Sequence, residues 1–379
     1  MGKLLIVSWT VHPWPTGSSV IINNIASQFK REELIILGEK PPAKLKHTWP
    51  DDYPEIKYFD AEISIYGRGQ KYLQWFKINR LVKVIKRIIE SEDVDKVLCV
   101  YPNDFFLYAS YKVSKQKQIP FYTWFHNTYY DNETGLKKIL AGWLQPKVFQ
   151  QSERVMVMSD GMKQFYDKQY PQLESHTLRH GFPLPPPPKN TYSSNSDKTT
   201  FVFTGSLNES CRDASVRLMK ALIKSPTNEI HIYSGNPKAR FSDLGILGEN
   251  VIYHGFIELD RLYGQLPKYD IMLLPHGFDG ERTTVEYETI FPTRTIPLLR
   301  SGKPILAHSP KDVFLTSFLN ENECALNVTV KSEAEILDAV EKLRTDKMYV
   351  DELVSNALKT SEMFEIDRIA SRLKILIDF

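Results

Sequence analysis

The sequence predicts an α/β protein made of two Rossmann-like, doubly wound domains in series. Three observations predict it. Short apolar runs alternate with stretches whose apolar residues recur at helical spacing, as strands and helices do when they take turns in a parallel sheet. Most of the runs end in a glycine or a small polar turn. The alternation stops in a proline-rich stretch and then begins again.

The first run, Leu4-Leu5-Ile6-Val7, is too short for a signal peptide or a membrane span and reads as a buried first strand. A loop with Pro13, Pro15 and Gly17-Ser18-Ser19 follows, then a helix with Ile21, Ile22, Ile25, Ala26 and Phe29 on its apolar face. Strand, small-residue turn and helix bring backbone close to a bound phosphate or sugar, although the turn is neither GxGxxG nor a Walker loop. A plain tight turn is the other reading.

Leu34-Ile35-Ile36-Leu37 is a second short strand, followed by an irregular region rich in proline and aromatics. Residues 70–91 have helical spacing, with Lys71, Lys77, Arg80, Lys83, Lys86 and Arg87 interleaved among apolar positions and Tyr72, Trp75 and Phe76 near the start. Such a helix either lies on an anionic membrane or packs on the sheet with its lysines in water. Strands at 96–100 and 120–125 come next. His126 stands directly past the second of these, where parallel sheets collect ligands, in a polar loop with Asn127, Tyr129, Asp131 and Asn132. A half-buried histidine satisfied by the turn is the competing account. The stretch 136–144, LKKILAGWL, is again amphipathic and either lines an acceptor or lipid face or packs on the sheet. A strand at 154–158 and a helix capped by Ser159 complete the first half.

Residues 180–199, HGFPLPPPPKNTYSSNSDKT, cannot bury a core and read as a linker. Beyond them, strand 201–204 ends at Gly205-Ser206, with Arg212 and a helix following. Strand 229–233 ends at Ser234-Gly235-Asn236, strand 251–254 at Gly255-Phe256, and strand 269–274 at Pro275-His276-Gly277. In 286–310, Thr293 or Thr295 can cap a helix in which Pro297 stands early, Leu298 and Leu299 enter a core, and Gly302 ends the turn before a strand at 304–307. Arg294 between two threonines at a helix start makes a candidate phosphate site; a solvated arginine beside an ordinary cap is the alternative. From residue 333 onward the chain is helical by period.

With 379 residues, 42% of them apolar and 25% charged, the chain is ordinary for a soluble multidomain protein. A net charge of +2 gives no case for nucleic acid. No run reaches the roughly 20 apolar residues of a membrane span. Cys99, Cys211 and Cys324 are far apart and fit structural thiols in a reducing compartment. The expected location is the cytoplasm, with membrane contact at most peripheral on the inner face.

On Phe203-Thr204-Gly205-Ser206, Val251 through Phe256, Tyr269 through Pro275, and Phe291-Pro292-Thr293-Arg294 through Gly302-Lys303-Pro304, the chain resembles the retaining, nucleotide-sugar-dependent glycosyltransferases of family four, group 1. The resemblance spans nearly the full length and implies the two-domain GT-B fold, with both domains facing a cleft. It implies an acceptor-side domain over 1–182, completed by the last helix (about 362–379), a linker over 183–199, and a nucleotide-sugar domain over 200–361. Gly17 and Ser18 would approach the donor from the first domain and His126 would face the donor sugar. Gly205, Arg212 and Gly235 would serve the donor from the second domain, Phe256 and Ile257 would flank the base, and Thr293, Arg294 and Thr295 would hold the diphosphate. The family's two glutamates, separated by seven residues, are replaced by Thr289 and Pro297, so Glu286 and Glu288 are the candidates for the first. Its lysine falls on Cys211, which shifts that role to Arg212.

The function implied is transfer of a sugar from a nucleoside diphosphate to a hydroxyl of a glycan or lipid-linked glycan, without metal or other cofactor. Should the reaction invert, His126 or Asp131 would supply the base. An epimerase of the same fold and an inactive nucleotide-sugar-binding homologue are the alternatives.

Overall fold

The computed structural model describes residues 2–14, 16–43, 45, 49–61, 73–188, 198–279 and 284–379. Pro15 of the first loop, Lys71 and Tyr72 of the basic stretch, and linker residues 189–197 lie outside them. The chain forms two units, Met1–Pro183 with Ile366–Phe379, and Leu184–Glu365.

In the N-terminal unit, strands β1 (Lys3–Ser8), β2 (Leu34–Glu39), β3 (Glu55–Phe59), β4 (Val94–Tyr101), β5 (Phe121–Phe125), β6 (Arg154–Val157) and β7 (Ser175–Thr177) make one parallel sheet in the order β3-β2-β1-β4-β5-β6-β7. Helices α1 (Gly17–Ala26), α2 (Ile78–Ser91), α3 (Asp104–Lys117), α4 (Gly135–Gln151) and α5 (Asp160–Gln169) connect them. Central strands buried on both faces need continuous apolar runs, and Leu4 to Val7, Leu34 to Leu37 and Val97 to Val100 are at most 1% exposed. Ser159 caps α5, its hydroxyl accepting from the Met162 amide at 3.0 Å. The expected helix over 70–91 is, in its described part, a 3₁₀ turn at Gln74–Lys77 running into α2.

The C-terminal unit has β8 (Thr199–Thr204), β9 (Asn228–Tyr233), β10 (Val251–Gly255), β11 (Ile271–Pro275), β12 (Ile305–His308) and β13 (Leu326–Val328), parallel in the order β10-β9-β8-β11-β12-β13. Its helices are α6 (Arg212–Ile223), α7 (Lys238–Asp243), α8 (Leu259–Gln265), α9 (Thr284–Thr289), α10 (Thr295–Leu299), α11 (Phe314–Glu321), α12 (Glu333–Thr345) and α13 (Lys347–Ser361). The start of the linker is pinned to this unit. Arg300 Nε donates to the Pro185 carbonyl at 2.7 Å. Gly302, at φ 69°, lets Pro188 approach so closely that a Cβ would stand 2.4 Å from its Cγ.

The last helix, α14 (Ile366–Leu376), belongs to the N-terminal unit. Ile366, Ile369, Leu373 and Leu376 join the core of Leu4, Ile36, Leu98 and Trp124. Each of these four buried side chains contributes about 1.5–3 kcal/mol relative to exposure.

Candidate functional site

In doubly wound sheets, ligands collect past the carboxyl ends of the strands where the strand order reverses. The C-terminal unit reverses between β8 and β11. The chain leaves β8 through Gly205 at φ 89°, a conformation that favours glycine. The Arg294 guanidinium lies over this turn, its Cζ 3.5 Å from where a Gly205 Cβ would stand. Nη1 donates to the Thr204 carbonyl at 3.0 Å and Nη2 to the Ser206 carbonyl at 2.5 Å, and the cation sits 5.3 Å from the centroid of the Phe203 ring. A guanidinium carries five N–H donors. No carboxylate among the described residues forms an ion pair with this one.

Beside it, Ser206, Asn208, Asn236, Arg240, Glu286 and Tyr287 line a cavity of about 350 Å³. Glu286 thus lines the same cavity as Ser206 of that turn, whereas Glu288, on the same helix, is exposed. At the end of β11, His276 is fully buried; its Nε2–H donates to the Tyr287 carbonyl at 2.8 Å and Nδ1 has no partner. Burial holds this imidazole below its ordinary 6.5, against the opposing pull of the Tyr287 carbonyl.

The first turn of α6 fixes the loop that follows β11. Asp213 Oδ2 accepts from the amides of Phe278 (3.0 Å) and Asp279 (3.2 Å). One turn on, Arg217 Nη1 donates to His308 Nε2 at 2.9 Å, and His308 Nδ1–H donates to the Val328 carbonyl at 2.8 Å. Helix α6 therefore ties down the exits of β11 and β12 together.

The expected cap at Thr293 or Thr295 does not form. Arg294 occupies the cap position of α10 and no side chain caps it. The Thr295 amide donates to the Pro292 carbonyl (2.9 Å), the Ile296 amide to the Thr293 carbonyl (3.2 Å), and Pro297 has no N–H. All five residues of α10 are buried, and the Thr295 hydroxyl has no partner. The start of α10 is a buried peg, and the charge at this place comes from Arg294. Thr293 is half-buried. Arg212 is the first residue of α6 and is half-buried. Phe256 is 66% exposed with its ring 3.8 Å from a Cβ position on Gly235, and Ile257 is half-buried.

The N-terminal unit reverses between β1 and β4. Past β1, Thr16 caps α1, its hydroxyl accepting from the Ser19 amide at 3.2 Å. Gly17 opens the helix, exposed, with nothing within 4 Å of a Cβ. The Ser18 hydroxyl and His126 Nδ1 share a hydrogen bond of 3.0 Å. His126 is 4% exposed and its Nε2 has no partner. His180 lies 4.8 Å away ring to ring, also buried and with neither nitrogen partnered. Burial, reinforced by His180, holds His126 well below 6.5, and burial takes His180 down to about 3. Asp131, in the same loop region, has a buried, unpartnered Oδ2 and a carboxyl raised by burial.

Gly205, Arg294 and Glu286 thus cluster in one unit and Ser18 and His126 pair in the other, with Gly17 next to Ser18. Sequence reasoning missed Asp213, His276 and His180. The signal at His180 was its place before Gly181 at the end of the first alternation; Asp213 looks like an ordinary helix-start acid.

No family model matches the chain, and no curated protein matches it. Solved structures do. Sucrose-phosphate synthase (tll1590) from Thermosynechococcus elongatus aligns at a TM-score of 0.74 and 12% identity, covering 99% of this chain and 98% of that one. Anabaena Alr3699/HepE in complex with UDP-glucose aligns at 0.71 and 14% identity over 100% of both chains. WaaG, a glycosyltransferase involved in lipopolysaccharide biosynthesis, aligns at 0.65 and 10% identity, covering 98% of this chain and 99% of that one. The fold is therefore GT-B, with parallel sheets of seven and six strands.

Proposed function

We propose that the protein is a glycosyltransferase that moves a hexose from a nucleoside-diphosphate-sugar to a hydroxyl of a glycan or lipid-linked glycan, with retention and without a metal, in polysaccharide synthesis on the cytoplasmic side of a membrane. The observation that carries this reading is Arg294, a cation with no carboxylate partner among the described residues, fixed over the Gly205 turn where the sheet reverses. The fold supports it: three proteins that share it are a sucrose-phosphate synthase, a protein crystallised with UDP-glucose and a glycosyltransferase of lipopolysaccharide biosynthesis.

In the reaction, the bond between the sugar's anomeric carbon and the diphosphate oxygen breaks. A bond to the acceptor oxygen forms, and the hydroxyl proton leaves with the diphosphate. Negative charge grows on that leaving group, and a guanidinium held by two carbonyls meets it without reorganising. Arg212 adds a second cation, Thr293 borders the diphosphate while Thr295, fully buried, does not reach it, and Gly205 and Gly235 admit it without side-chain clash. Phe256 and Ile257 flank the base, and Glu286, with Glu288 behind it, contacts the sugar. Within the N-terminal unit, Gly17, Ser18 and His126 offer a neutral imidazole and a hydroxyl suited to sugar hydroxyls.

A binding protein without turnover is the second reading, favoured by Pro297, buried where the family's ribose-binding glutamate stands. Incubation with uridine, guanosine and adenosine diphosphate sugars, scored for thermal shift and for nucleoside diphosphate release with glycan acceptors, decides between them. Transfer predicts a raised melting point and release with one donor. A shift without release under any acceptor selects the second reading, and no shift at all contradicts both.

A further inference from the structure

The N-terminal unit carries an apolar stripe that its own fold leaves uncovered. On α4, Leu136 is 70%, Ile139 71% and Trp143 48% exposed. Their spacing of three and four places them on one face of the helix. The Trp143 ring lies 6.1 Å from that of Tyr108 on α3, which lies 5.7 Å from Trp75 in the turn before α2. Phe76, next to Trp75, is 86% exposed. The aromatic path therefore crosses α4, α3 and the entry to α2.

Cations surround this path. Lys147 lies over the Trp143 ring at 5.2 Å, Lys138 over Tyr130 at 4.8 Å and Lys112 over Tyr108 at 5.9 Å. Helices α2, α3 and α4 carry four, three and three lysines and arginines against two acids. Asp104 pairs with Lys137 at 3.5 Å and Glu90 with Lys117, so each acid answers one of these cations and the others set the charge of the surface. The whole chain has a net charge of only +2, so this positive charge is local.

We propose that the N-terminal unit docks on an anionic lipid bilayer through this surface. Leu136, Ile139 and Trp143 enter the interfacial layer, and Lys138, Lys147 and Lys112 face the lipid phosphates. An amphipathic face with tryptophan and leucine at its centre and lysine around them is what such a layer binds, and an anionic leaflet attracts each added cation. A second copy of this chain is a poorer occupant, because two such faces would oppose lysine to lysine. Among the described residues no helix is long and apolar enough to cross a membrane. The inference builds on the membrane location in the proposed function and gives it a surface, but it is scored without sugar transfer.

The test is co-sedimentation of the full chain with vesicles of phosphatidylcholine alone and of phosphatidylcholine with phosphatidylglycerol. Wild type is expected to partition at least about tenfold more strongly onto the anionic vesicles and to be released by high salt. Leu136→Ser/Ile139→Ser, at two exposed positions, is expected to lose at least about tenfold in partitioning with an unchanged melting point. Trp143→Ala supplies a second apolar probe and Lys138→Gln/Lys147→Gln the charge probe. Wild type left in solution with anionic vesicles overturns the proposal, as does equal binding by the serine variant. A wild-type dimer that the serine variant converts to monomer assigns the face to a second copy and also overturns it. Vesicle binding by a protein that consumes no donor sugar supports docking while contradicting transfer.

Discussion

The two sheets reverse their strand order in the same way, one between β1 and β4 and the other between β8 and β11, but they place opposite chemistry there. The N-terminal reversal holds Ser18, His126 and His180, with both imidazoles buried and held neutral. The C-terminal reversal holds Arg294 over a glycine turn. A doubly wound sheet supplies a place for a ligand, and the side chains at that place decide its charge. Neutral, desolvated donors and acceptors suit a sugar, whereas a fixed guanidinium suits a diphosphate.

The largest effect is expected at Arg294. Replacing it with alanine is expected to lower kcat/KM about 100- to 1000-fold, the usual loss when one charge-stabilising donor is removed, with the melting point nearly unchanged. Arg294→Lys should recover little, because an ammonium cannot reproduce a planar fork bonded to the carbonyls of Thr204 and Ser206. Steady-state kinetics beside a thermal melt checks both. A fall in stability equal to the fall in rate would make Arg294 a structural residue.

Asp213 sharpens the comparison, since it holds the loop after β11 by two amides. Asp213→Ala should cost about 10- to 100-fold in kcat/KM, the equivalent of losing hydrogen bonds to a charged group. Asp213→Asn, which keeps one acceptor oxygen, should fall between the two. Phe256→Ala should raise the donor KM about three- to tenfold and leave kcat almost untouched, as loss of an aromatic platform does.

The neutral half is tested by pH. His180 is taken from 6.5 down to about 3 in the folded chain, so the unfolded chain binds the extra proton in between. Its contribution to stability is complete above 6.5 and is lost as pH falls toward about 3, at up to ~1.4 kcal/mol per pH unit. Urea midpoints at several pH values should show a shallower slope for His180→Gln than for wild type. Equal slopes would mean that His180 is not held neutral.

Much of this was legible in the sequence, and the failures have physical causes. The apolar runs of β1, β2, β4 and β5 announced themselves because central parallel strands are buried on both faces. Glu55–Phe59, Ser175–Thr177 and Leu326–Val328 gave no such signal; they are short edge strands, and the first was read as irregular. Arg294 was visible as a cation in a small-residue turn. Its mode of attachment was not, because the carbonyls that hold it lie 90 and 88 residues away in sequence. The expected cap at Thr293 or Thr295 failed because α10 is five residues long and its first amides turn back on Pro292 and Thr293. Asp213 and His276 act through neighbours brought in by the fold, and spacing along the chain carries no trace of them.

Calorimetric titration of wild type and Arg294→Ala with uridine, guanosine and adenosine diphosphates tests the central claim most directly. One diphosphate should bind the wild type, and the variant should bind it at least about 100-fold more weakly, as expected when the charge-assisted pair to a phosphate is removed. Equal affinity in the two proteins, with both folded, would contradict a diphosphate site at the Gly205 turn.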